Sequence, residues 1–74
     1  MLLRRLKTVS VKLPKEVVEL LDMLVVEGGY YSRSQIIRRA LIEFLKNTMN
    51  TDTHIPEQKF KQAIRALKAI DILT

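Results

Sequence analysis

Within residues 7–13, polar and apolar side chains alternate strictly from Thr8 onwards. The apolar positions of this segment are Val9, Val11 and Leu13, and the polar ones are Thr8, Ser10 and Lys12. A period of two with β-branched residues is typical of a half-buried β-strand. Pro14 comes next and has no backbone N–H for a strand ladder, so the pattern predicts a short strand that ends at Leu13.

Residues 15–27 change to the spacing of an amphipathic helix. Their apolar side chains fall on one side at a 3.6-residue period: Val17, Val18, Leu20, Leu21, Leu24 and Val25. Gly28 and Gly29 follow, and glycine readily takes the left-handed conformation that lies beyond many helix C-termini. The sequence therefore predicts a first helix that ends at Glu27.

A second helix is predicted from Ser32 to about Thr48. Ser32 followed three residues later by Gln35 is a capping box, in which each side chain accepts a hydrogen bond from a backbone N–H near the helix start. The apolar face of this helix consists of Ile36, Ile37, Ala40, Leu41, Phe44 and Leu45. The residues that follow are polar and predict a linker.

A third helical pattern begins at about Ile55, with Pro56 expected in its first turn. Its apolar face is formed by Phe60, Ala63, Ile64, Leu67 and Ile70, and its basic residues Lys61, Arg65 and Lys68 lie opposite. This apolar face is too broad to stay in water, so the helix is expected to pack on the rest of the protein. Ile42 and Met23 lie outside the apolar arcs of their own helices and are the expected docking points.

These elements predict a mainly α fold with four segments. They are a basic N-terminal arm at 1–6, a strand-helix-helix domain at 7–48, a linker at 49–54 and a C-terminal helix at 55–73. The predicted strand is the only β segment in the chain, and an isolated strand leaves its backbone groups unpaired. Pairing with the same strand of a second copy, antiparallel across a two-fold axis, satisfies both strands, so a homodimer is expected.

Size and composition favour the same arrangement. The chain has 74 residues and no cysteine, yet 47% of its residues are hydrophobic. A domain this small is marginal alone, and sharing a core with a second copy is a usual remedy. The expected dimer core is Val9, Val11, Leu13, Leu20, Leu24, Ile37, Leu41 and Phe44.

The net charge of +5 is concentrated at the N-terminus. The first 15 residues hold five of the 13 Lys and Arg and none of the eight Asp and Glu, so the rest of the chain is neutral. Such a segment attracts nucleic acid, an anionic membrane or an acidic protein, although it also describes a solvated basic tail. No apolar run is long enough to span a membrane, and an intracellular, cytoplasmic protein is expected.

The outward face of the paired strands would be small, polar and basic. Thr8, Ser10 and Lys12 of both chains lie on it, and such a ribbon fits the major groove of double-stranded DNA, where these side chains can bond to base edges. Alternation alone favours an ordinary solvated sheet face over a reading surface.

The order of motifs adds specificity to this interpretation. Val-Ser-Val-Lys-Leu-Pro, an amphipathic helix, glycine, and then Tyr-Ser-Arg-Ser-Gln-Ile-Ile-Arg-Arg-Ala-Leu together resemble the ribbon-helix-helix family of repressors over about residues 6–48. Two features depart from that family: Gln35 stands where glutamate is usual, and the third helix lies outside the minimal fold. The third helix resembles C-terminal extensions on some members, including small regulators of archaeal viruses that act in an infected host cell.

The resemblance implies an intertwined dimer that regulates transcription, most simply as a repressor, with its β-ribbon in the major groove. The base-reading positions would be Thr8, Ser10 and Lys12. Phosphate would be bound by backbone N–H groups at the start of the second helix, at Ser32, Arg33 and Ser34. Arg4, Arg5 and Lys7 are expected to add phosphate contacts from the N-terminal arm.

Other candidate sites are weak. His54 is the only histidine and lies beside the linker, so the sequence predicts no catalytic residue, no enzyme, no metal site and no cofactor. At least one of Tyr30 and Tyr31 is expected to pack against the turn between the first two helices. Arg38 and Arg39 could equally reach phosphates or pair with acids such as Glu43.

Two rival functions use the same sequence features. In an antitoxin, the DNA-binding half would be joined to residues 50–74, which would wrap a toxin. In a membrane-surface or interaction protein, the third helix would lie on anionic lipid or bind a protein partner. Of these functions, only DNA binding uses the alternating strand.

Overall fold

The structure is a computed structural model that describes residues 6–73. In this range the chain forms three helices, α1 (Lys15–Glu27), α2 (Arg33–Met49) and α3 (Glu57–Leu73). The prediction of a mainly helical fold is confirmed, and α1 has the predicted bounds. α2 extends one residue beyond Thr48. The expectation that Pro56 lies in the first turn of the third helix is wrong: Pro56 precedes α3, and its carbonyl accepts the Lys59 N–H at 3.0 Å.

Proline and glycine set the two ends of α1. The Pro14 carbonyl accepts hydrogen bonds from Val17 N–H at 3.0 Å and Val18 N–H at 3.2 Å, so the helix begins directly after the proline. At the other end, Gly28 N–H donates to the Leu24 carbonyl at 2.8 Å. Gly29 has a φ of 80°, which favours glycine because other residues are strained there. The predicted glycine stop is confirmed.

The start of α2 is capped from two sides. The Ser32 hydroxyl accepts the Gln35 N–H at 3.2 Å, as the capping box predicts. The Gln35 side-chain oxygen accepts from Tyr31 N–H at 2.8 Å, one residue earlier than the capping box requires. Gln35 is only 7% exposed, so this amide lies within the fold and fixes the loop that enters α2.

The helices pack in chain order. α2 contacts both α1 and α3, whereas α1 and α3 do not contact each other within residues 6–73. The buried apolar side chains of this range, Ile42, Phe60 and Ile64, lie on α2 and α3. Ile42, an expected docking point, is thus buried on α2, the helix that contacts α3. Met23, the other expected docking point, is exposed on α1, which does not contact α3 in the single chain, so its docking in a dimer stays a prediction.

The single chain has a large accessible surface and a large radius of gyration for its size. Its accessible surface is 6652 Å², whereas scaling predicts about 4700 Å² for a compact monomer of this mass. Its radius of gyration is 14.1 Å, against about 11 Å for a compact domain of this length. Three buried apolar residues and this excess surface mean that much apolar area remains uncovered in one chain.

Residues 6–14 form neither a helix nor a paired strand, and all of their side chains are exposed. A strand is defined by a ladder to a second strand, and the described chain offers this segment no partner. The predicted β-ribbon therefore stays a prediction about two chains. None of the three helices in the described range has the length and apolar character needed to cross a membrane.

Candidate nucleic-acid interface

The predicted reading segment is open to solvent. Val9 and Val11 are 79% and 70% exposed, and Thr8, Ser10 and Lys12 alternate with them. Within the described residues, these three polar side chains have no hydrogen-bond or ion-pair partner, so they are available to a ligand. Lys7 is likewise exposed. The predicted phosphate contacts Arg4 and Arg5 lie outside the described residues.

The start of α2 presents backbone donors. Ser32 supplies the N-cap, so its hydroxyl is used inside the fold. The N–H groups of Arg33 and Ser34 belong to the first turn, where an α-helix has no intrahelical acceptor for them. They find no acceptor elsewhere in residues 6–73. Together with the positive end of the helix dipole, these donors can bind an anion such as phosphate.

The Arg33 side chain is held by α1. Its Nε donates to one carboxylate oxygen of Asp22 at 2.6 Å and its Nη2 to the other at 2.9 Å. This two-bond contact lowers the pKa of the Asp22 carboxyl, chiefly through the hydrogen bonds from the guanidinium, and raises the pKa of Arg33. The pair joins α1 to α2. Any phosphate contact at Arg33 therefore depends first on its backbone N–H.

The two arginines whose role the sequence left open both have partners within the fold. Arg38 donates to Asp71 of α3 at 3.2 Å, and the two side chains are only 20% and 18% exposed. Sequence reasoning named Glu43 instead. Asp71 could have been found, because it continues the inner stripe of α3 four residues after Leu67 and seven after Ile64.

Tyr30 and Tyr31 differ in burial, and one of them packs against the turn, as predicted. Tyr30 is half-buried at the turn between α1 and α2, with the Arg39 guanidinium 5.8 Å from its ring centroid. This is within the range of a cation–π contact. Tyr31 is exposed. One tyrosine therefore packs the turn, and Arg39 stacks over it.

Most residues predicted for the dimer core face solvent in the single chain. Of the eight, all but Leu24 have large exposed fractions: Val9, Val11, Leu13, Leu20, Ile37, Leu41 and Phe44. Phe44 is 62% exposed, although it belongs to the predicted apolar face of α2. Exposed apolar patches of this extent mark interaction surfaces.

The described residues do not form a cluster that could hold a metal ion. His54 is exposed in the loop between α2 and α3. No group of three His, Cys, Asp or Glu in this part of the chain is placed to hold a metal ion. The candidate site thus consists of backbone N–H groups, small hydroxyls and cations.

Comparison with known families assigns the fold. The family described as "Ribbon-helix-helix protein, copG family" matches residues 7–48, which is more than half of the chain and spans the open segment, α1 and nearly all of α2. No curated protein and no solved structure matches the chain. On the strength of this match, the chain belongs to the ribbon-helix-helix family.

Proposed function

We propose that this chain is a sequence-specific binder of double-stranded DNA that regulates transcription as a homodimer. Members of its family are in general DNA-binding transcription regulators or antitoxins. In the proposed dimer, residues 7–13 of two chains pair antiparallel and the ribbon enters the major groove. By occupying promoter DNA, such a dimer would act as a repressor.

One observation carries the proposal: residues 6–14 are fully open, although Val9 and Val11 are apolar. Antiparallel pairing across a two-fold axis would satisfy the backbone donors and acceptors of both segments. It would also turn Val9, Val11 and Leu13 towards the exposed apolar residues of α1 and α2. The alternation then leaves Thr8, Ser10 and Lys12 on the opposite face.

The chemistry of that face suits base reading. Lysine can donate to guanine O6 and N7, and serine and threonine hydroxyls can donate to or accept from several base edges. Each residue is present twice in the dimer, so the ribbon offers six polar side chains in one groove. The N–H groups of Ser32, Arg33 and Ser34, with Arg4, Arg5 and Lys7, would fix the register by binding phosphates.

The position of α3 favours a regulator over an antitoxin. An antitoxin would need residues 50–74 free to wrap a toxin. In this chain Phe60 and Ile64 are buried, and Asp71 is paired with Arg38 of α2. These contacts support a C-terminal helix that belongs to the fold of the chain itself.

The test starts with selection of bound sequences from a random DNA pool. Binding of Ser10→Ala and Lys12→Ala is then measured on the selected operator and on random duplex. Both variants should lose about 1–3 kcal/mol on the operator, as expected for lost base contacts, and much less on random DNA. Lys7→Ala, the matched control in the same segment, should weaken both duplexes alike, as a phosphate contact does.

Equal losses on operator and random duplex for Ser10→Ala and Lys12→Ala would refute the ribbon as the reader. Failure to select any sequence would refute sequence-specific binding itself.

A further inference from the structure

The hairpin of α2 and α3 returns the end of α3 to the start of α2. Arg38 lies five residues, or about 8 Å along the axis, after the first residue of α2. Its partner Asp71 lies near the C-terminal end of α3. The two helices therefore run in opposite directions. The second half of α3 lies beside the half of α2 that carries the exposed Arg33 and Ser34 N–H groups.

The acidic residues of α3 are both engaged. Glu57 pairs with Lys61 at 2.9 Å, and Asp71 pairs with Arg38. Arg65 and Lys68 are exposed, and among the described residues no carboxylate lies within ion-pair distance of either. They are three residues apart, so their side chains are neighbours on one helix face. This face carries two uncompensated positive charges.

We propose that Arg65 and Lys68 form a second phosphate-binding surface, which contacts the DNA backbone beside the contact made by the start of α2. This inference rests on the proposed function and extends the DNA interface beyond residues 7–48. Lys68 lies about 4.5 Å along the helix axis from Asp71. Its long side chain therefore extends the cationic surface from the same end of the molecule. The docked α3 gives these charges a fixed position.

Charge and position together favour DNA over an acidic protein as the partner of Arg65 and Lys68. The proposed ribbon and the α2 N-terminus already bring a polyanion to this end of the molecule. Lys59 provides the contrast, because it is exposed on the same helix but lies at its far end, on the opposite side from Lys68. Lys59 carries the same charge as Lys68 but does not lie near the start of α2. Lys59→Gln is therefore a matched control for Lys68→Gln.

The experiment measures binding of the full-length protein to a random-sequence duplex a few helical turns long. Affinity is followed by fluorescence anisotropy over a series of salt concentrations. Non-specific binding depends on phosphate contacts, so no operator is needed. Each lost contact should flatten the plot of log affinity against log salt by about 0.9, or about 1.8 for the two copies of Lys68 in a dimer. Arg65→Gln should flatten this slope by a similar amount, and the double variant should flatten it further.

Lys59→Gln should change the slope by clearly less than Lys68→Gln, and all variants should keep the melting temperature of the parent. If Lys68→Gln and Arg65→Gln only match Lys59→Gln, the second phosphate surface is refuted and an acidic protein becomes the better partner for this face. If the parent protein itself fails to bind the duplex, the proposed function fails instead. The two failures are thus distinguishable.

Discussion

At the scale of single residues, the contact between Asp22 and Arg33 connects stability to pH. The hydrogen bonds from Arg33 hold the pKa of the Asp22 carboxyl below its ordinary value. A carboxyl whose pKa is depressed on folding stabilises the fold above its unfolded pKa of about 4. That stabilisation is lost as the pH falls through the lower, folded pKa. Above this range the pair helps to hold α1 on α2.

We expect Asp22→Asn to lower the melting temperature at neutral pH by a small amount, because both side chains are exposed and solvent weakens the pair. The difference from the parent should persist down to about pH 4 and shrink below it, where the parent carboxyl is protonated as well. Thermal unfolding followed by circular dichroism across this range measures it. Glu19→Gln removes the same charge from an exposed position of α1 and should show a smaller difference.

Residue types and spacing predicted which residues matter at the start of α2, but not all of their partners. Ser32 and Gln35 were identified as caps from their spacing. The Tyr31 N–H as the second partner depends on how the loop enters the helix, and local sequence does not encode that path. The backbone N–H of Arg33 stays a predicted phosphate contact, but the pattern does not indicate that its side chain reaches Asp22, eleven residues earlier in the chain. Such long-range pairs require the packing of two helices to be known first.

At the scale of secondary-structure elements, the packing of α3 on α2 depends on the two buried apolar side chains of α3, Phe60 and Ile64. Ile64 is buried, whereas Ile55, just before α3, is largely exposed. We expect Ile64→Ala to cost about 2–5 kcal/mol of unfolding free energy, because it removes buried methyl groups and leaves a cavity. Ile55→Ala should stay within about 0.5 kcal/mol, as at most surface positions. Denaturant unfolding of both full-length variants provides the comparison.

Equal stability of the two isoleucine variants would mean that burial of Ile64 does not hold α3 in place. The result would then favour a C-terminal segment that is free to bind a partner, as in an antitoxin.

Periodicity predicted the helices well because each helix satisfies its backbone within one segment. α1 begins and ends at residues that proline and glycine mark in the sequence. The strand is different, since its hydrogen bonds require a second segment and this chain has a single candidate. The pattern also placed Ile42 and Met23 alike outside the apolar arcs of their helices, but only Ile42 is buried in the single chain. Which of the two is covered depends on how the helices pack, and periodicity does not encode that packing.

At the scale of the whole molecule, the exposed apolar residues predict a dimer. Sedimentation equilibrium at micromolar concentration should report twice the chain mass of 8.6 kDa. Phe44→Asp should shift this equilibrium strongly towards monomer, because a charge without a partner in an apolar interface is costly to bury. Val26 is 81% exposed and lies outside the predicted dimer core, so Val26→Asp is a matched control.

Val26→Asp should remain dimeric at the same concentration. A folded monomer of the parent protein would contradict the proposed architecture. Dissociation of both variants to the same extent would mean that the interface is not confined to the predicted core, and a Phe44→Asp protein that stays dimeric would place the interface on a different face.

The open segment at residues 6–14 has a consequence for how DNA-binding activity depends on protein abundance. In the proposed dimer this segment completes its backbone hydrogen bonds only when a second chain arrives. Encounter between two chains is a second-order process, so newly synthesised protein matures more slowly when it is scarce. Below the dissociation constant of the dimer, the concentration of competent protein falls with the square of total chain concentration. Occupancy of DNA would therefore respond to expression level more steeply than binding by a monomer.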